Sequence, residues 1–108
     1  MKGFGSHKKS KKKKINSDLQ TIKDQIISRA FKQHSQGNLK EAKKYYENFI
    51  NKGFIDHRVF SNYGMILLNL GEFKKAEIFT RQAIELNPNY AMAYSNLGVI
   101  LKHLGKLE

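Results

Sequence analysis

The stretch HRVFSNYGMILLNLGEFKKAEIFTRQAIELNPNY, residues 57–90, decides the fold, because its landmarks recur at one interval on both sides. Gly37, Gly71 and Gly105 stand 34 residues apart, and Leu39, Phe73 and Leu107 follow at the same offset. Ala42 matches Ala76, while Ala30, Gly64 and Gly98 keep step, as do Ile26, Phe60 and Tyr94. Such a period is the length of a helix–turn–helix unit, which cannot bury its apolar face alone and stacks on neighbours. Function is therefore to be sought in a binding surface.

Within this stretch Phe73, Ala76, Phe79, Ala83 and Ile84 recur at the three- and four-residue spacing of a helix face. Gly64 and Gly98 fall inside amphipathic segments, where glycine costs about 1 kcal/mol against alanine. Close approach of a second helix offsets that cost, with Ala42, Ala76 and Ala83 as the small partners. Asn38 with Glu41, and Ser17 with Gln20, have capping-box spacing. Gly37, Gly71 and Gly105 suit left-handed helix stops, and Pro88 closes one unit and restarts the next helix. The predicted helices are Asp18–Gln36, Leu39–Lys52, His57–Leu70, Phe73–Leu86 and Tyr90–Leu104, with Leu107 opening a sixth. Tyr94, Leu97, Leu101 and Leu104 then share an apolar face with no return helix to cover it. The expectations are an amino-terminal part of a longer protein, or self-association through that last helix.

Composition narrows the classes. The chain has 108 residues, enough for one small domain, and no cysteine, which excludes disulfides and thiolate metal sites. His7, His34, His57 and His103 lack paired metal-ligand spacing and are expected at the surface, so no metal and no cofactor are expected. No apolar run is long enough to cross a membrane, and no apolar stretch of a secretion signal follows the lysine-rich start. A cytoplasmic location is the expectation. Gly3-Phe4-Gly5 lacks the strand-to-helix setting of a phosphate loop, and Glu41, Glu47, Glu72, Glu77 and Glu85 sit among lysines as solvated helix faces do. No catalytic constellation emerges, and the segment is not expected to be an enzyme.

Charge is concentrated at one end. Residues 1–14 carry seven lysines and no acid, out of a formal net charge of +11. Such a block repels itself and offers nothing to bury, so residues 1–16 are expected to be a disordered basic tail. Contact with nucleic acid or other polyanions through residues 1–14, attraction to an anionic membrane surface, and a nuclear-import-like address are three readings. A solvated tail is the plainer fourth, because no aromatic or arginine pattern accompanies the lysines.

The spaced residues resemble the tetratricopeptide repeat family. Residues 57–90 carry its pattern as Phe60, Tyr63-Gly64, Leu67, Leu70-Gly71, Phe73, Ala76, Phe79, Ala83 and Pro88, with Phe60 where the family often has tryptophan. Residues 91–108 carry Tyr94, Leu97-Gly98, Leu101 and Leu104-Gly105 as the first helix of a third, truncated unit. Residues 17–56 form a divergent first unit, with Arg29 and Gln33 at apolar positions, Phe49 at a small one and Phe54 in place of proline. The resemblance implies an all-α, right-handed α-solenoid of antiparallel helix pairs, about two and a half repeats long.

The resemblance also implies a scaffold or adaptor that binds a protein or peptide in a concave groove. Family positions carried onto this chain line that groove with Ser28, Phe31, Ser35, Arg58, Ser61, Asn62, Met65, Asn69, Ser95, Asn96, Val99, Lys102 and His103. Asn62 and Asn96 hold equivalent places, and such a pair resembles an asparagine ladder along a peptide backbone. They also read simply as polar residues on a solvated face. The alternative function is the recognition arm of a larger transferase, of glycosyltransferase or sulfotransferase type, with its catalytic domain beyond residue 108.

Overall fold

The structure is a computed structural model that describes the backbone of residues 2–107 and the side chains of residues 11–106. The described residues form five helices, α1 (Lys2–Ser35), α2 (Leu39–Asn51), α3 (His57–Asn69), α4 (Phe73–Leu86) and α5 (Ala91–Leu107), and no strand. Short turns fold α2 back on α1 and α4 back on α3, while α5 lies chiefly on α4 and touches α3. The result is a helical-repeat solenoid.

Three glycines set the turns. Gly37 and Gly71 both adopt φ of 79°, and Gly53 adopts 82°. In each case the following amide reaches back five residues, as Asn38 N–H to the Gln33 carbonyl at 2.9 Å and Glu72 N–H to the Leu67 carbonyl at 2.9 Å. This pairing satisfies the last carbonyls of a helix and needs a left-handed residue, which glycine adopts without a Cβ penalty. Gly53, not singled out in the sequence, does the same between the first two units, with Phe54 N–H donating to the Phe49 carbonyl at 3.3 Å. Gly105, expected as a third member of the series, instead lies inside α5, and Leu107 continues that helix rather than opening another.

The core follows the repeat. Ala30, Ala42, Tyr46, Phe49, Leu67, Ala76, Ala83 and Ile100 are all fully buried. Gly64 is where α3 and α4 come closest, since a Cβ there would run into Thr80 Oγ1 and sit 3.4 Å from the Ala76 carbonyl oxygen. Thr80 is thus a contact partner that the small-residue argument overlooked. The divergent first unit compensates for its changes: Phe49 fills the space of a small residue and packs its ring 5.4 Å from that of Phe54, which stands where Pro88 stands in the next unit.

Three local expectations change. Residues 2–16, expected to lack regular structure, follow α1. No glycine or proline stands between Ser6 and Gln36 to stop a helix, and lysine is a good helix former. All side chains from Lys11 to Ile22 are nevertheless exposed. Neither capping box forms. Ser17 and Gln20 are interior to α1, where Gln20 Nε2 donates to Asp24 Oδ1, and Asn38 sends its amide to Gln33 Oε1 instead of capping α2. The side-chain cap found is Asp56, whose Oδ1 accepts from Arg58 N–H at 2.8 Å and starts α3.

Candidate functional site

The first helices of the three units, α1, α3 and α5, share one side of the solenoid and enclose a shallow cup of about 280 Å³. Phe31, His34 and Ser35 come from α1, Asn62 and Met65 from α3, and Met92 from α5. Four of the six, Phe31, Ser35, Asn62 and Met65, are groove positions expected from the sequence. His34 and Met92 are additions. Methionine is unbranched and polarizable, so two of them beside a phenylalanine make an apolar wall able to adjust to different side chains.

A polar chain underlies the cup. The Tyr46 hydroxyl rises from α2 and lies 2.8 Å from His34 Nδ1. Burial pushes this hydroxyl up to about 12, while Asn62 on α3 pulls the other way. Burial also pushes His34 below its ordinary value, which keeps the ring neutral near pH 7. The Tyr46 hydroxyl ties α1 to α2.

Histidines expected at the surface are therefore half-buried and packed. Besides His34, the His57 ring meets Tyr90 edge-on at 4.7 Å, and His103 stacks on Phe73 at 4.8 Å. His7 lies outside the described side chains. The stacking turns His103 toward α4, away from the cup.

The asparagine ladder does not form as two free amides. Asn96 is only 8% exposed and spends its Nδ2 on the Ser61 carbonyl and hydroxyl, at 3.4 and 3.3 Å. Ser61 is itself fully buried, so it supports the α3–α5 joint instead of lining a groove. Periodicity places both asparagines on the first helices but cannot tell which side of the contact each amide takes. Arg58 is exposed but committed: its guanidinium bonds to Asp56 Oδ2 at 2.8 Å and lies 5.3 Å over the Phe31 ring. Ser28, Asn69, Ser95, Val99 and Lys102 are exposed on the same three helices, outside the cup lining.

No helix among the described residues is long and apolar enough to cross a membrane. Two models of the Tetratricopeptide repeat family match the chain, one at residues 57–90 and one at residues 79–108. A stretch of 70 residues is 39% identical to a protein named Photosystem I assembly protein Ycf3 from Acaryochloris marina (strain MBIC 11017). That match covers 65% of this chain and 40% of the relative, so the chain spans about two fifths of the relative's length.

Proposed function

Because the chain belongs to the tetratricopeptide repeat family and is a protein-interaction module, we propose that its cup holds an apolar side chain from an extended segment of a partner protein. The observation that carries this reading is the convergence of Phe31, Met65 and Met92 from three separate helices on one recess. The Tyr46–His34 bond beneath holds α1 against α2 before a partner arrives, which lowers the ordering cost of binding. Ser28, Asn69, Ser95 and Lys102, exposed on the same three helices, offer donors to a peptide backbone. The similarity to a protein named for photosystem I assembly supports a role in bringing other proteins together.

The test is site-specific photo-crosslinking. A benzophenone side chain at Ser35 should capture one defined segment of a partner, and the same group at Gln82 on α4 should not. Met65→Glu should abolish the capture while leaving the helical circular dichroism spectrum intact. Capture that survives Met65→Glu would reject the groove.

A further inference from the structure

A recess of another kind occurs twice along the solenoid, once per repeat. The first lies between the start of α2 and the end of α3, holds about 190 Å³, and is lined by Leu39, Lys40, Lys43, Ile66 and Leu70. The second lies between the start of α4 and the end of α5, with Phe73, Lys74, Lys75 and Leu104 in its wall. Leu39 corresponds to Phe73, Lys40 to Lys74 and Leu70 to Leu104, each pair 34 residues apart. The recess is thus a product of the repeat itself.

Its chemistry is two-sided. Ile66 forms a floor that is 1% exposed, while Leu70 at the mouth stays 55% exposed. Lys40 and Lys43 stand beside that apolar surface, and the ion pairs among the described residues, Lys44–Glu41, Arg58–Asp56 and Arg81–Glu77, involve neither. At the second recess Glu72 joins Lys74 and Lys75, so the first is the more cationic. A ligand that matches the first must carry an apolar group for the floor and negative charge for the rim. A bare polyanion answers only the lysines and leaves the floor wet.

We propose that the recess between α2 and α3 docks an acidic, leucine-bearing segment of a partner protein. The leucine side chain fills the space between Leu39, Ile66 and Leu70, and flanking carboxylates pair with Lys40 and Lys43. The apolar wall excludes water from one side of those ion pairs, which weakens screening relative to an open surface. The equivalent recess one repeat on extends the same surface for a longer segment. None of these residues lines the cup of Phe31 and Met65, so this docking stands or falls apart from the groove.

The experiment is a fluorescence-anisotropy titration of the whole chain with a labelled peptide, Asp-Glu-Leu-Asp-Asp-Leu-Glu, and a control in which serine replaces both leucines. The leucine peptide should bind more tightly than the control, and deletion of residues 1–14 should preserve that difference. Lys40→Glu combined with Lys43→Glu should weaken the leucine peptide by about tenfold or more, the loss of at least one charge-assisted contact. Leu70→Ser should weaken it as well, and Met65→Glu should leave it unchanged. Equal affinity for the two peptides, full affinity in the double lysine variant, or no binding of the leucine peptide overturns the proposal. The lysine variant changes only side chains at the rim, so its folding, checked by circular dichroism, keeps the test decisive even if Leu70→Ser unfolds.

Discussion

Helices α3 and α5 carry the same motif and lead different lives. On α3, Phe60, Tyr63 and Leu67 are 8%, 2% and 0% exposed, because α4 covers them with Phe79 at ring distances of 6.0 Å and 4.8 Å from Phe60 and Tyr63. On α5 the equivalent Tyr94 and Leu101 are 48% and 43% exposed, Leu97 is half-buried, and nothing approaches within 4 Å of where a Gly98 Cβ would stand. The motif specifies a surface; the next helix decides what that surface contributes. In a repeat stack, energy resides at the interfaces between units as much as in the units.

The largest test of this contrast is a pair of identical truncations one period apart. Leu67→Ala should cost about 2–5 kcal/mol, as removal of a fully buried leucine does. Leu101→Ala should stay within about 1 kcal/mol, since its side chain already meets water. Urea unfolding of both variants measures the difference, and equal losses would mean that α5 is covered in solution.

The glycines sharpen the contrast with opposite signs. Gly64→Leu should destabilise by about 1–3 kcal/mol, because the side chain must displace Thr80 and the α4 backbone. Gly98→Ala should stabilise by up to about 1 kcal/mol, the helix-propensity gain with no clash to oppose it. Thermal melts of the two variants should therefore move in opposite directions, and a destabilised Gly98→Ala would show that a close contact exists there after all.

The helix starts differ too. Asp56 caps α3, whereas α5 begins after a turn in which Asn87 Oδ1 accepts from Asn89 N–H at 3.2 Å. Asp56→Ala should cost about 1 kcal/mol. Burial opposes ionisation of this carboxyl, yet the side-chain and backbone hydrogen bonds of Arg58 outweigh it and hold the folded-state value below the ordinary 3.8. Its contribution is therefore present above the unfolded value and fades as pH falls through the lower folded one. Acid titration of stability should show that loss in the wild type and not in Asp56→Ala. The smallest effect belongs to residues 1–14, whose deletion should shift stability by less than about 0.5 kcal/mol, because the described side chains of that segment, Lys11 to Lys14, are all solvent-exposed.

Much of this architecture was legible because the periodic alanines and Gly64 mark tight helix contacts, while Gly98 keeps the period without a close neighbour. Ala30, Ala42, Ala76 and Ala83 were read as buried and are. The site was legible in part. Phe31, Ser35, Asn62 and Met65 follow from their place in the repeat, but the amide of Asn96 turns to Ser61, and no period encodes a rotamer. Nor did the sequence announce Asp56 as a cap, since no glutamate or glutamine follows three residues later to complete a box. His34 was expected at the surface for a similar reason: its partner Tyr46 lies on another helix, twelve residues on.

Helix α1 has a consequence of scale. From Lys14 to Phe31 its axis runs about 25 Å at 1.5 Å per residue, and the whole molecule measures 68 × 27 × 20 Å. Lys14 and the cup are thus the two marks of a ruler cut from one piece of backbone, and inserting or deleting residues between them would reset their separation in steps of 1.5 Å while rotating one mark by 100° about the other.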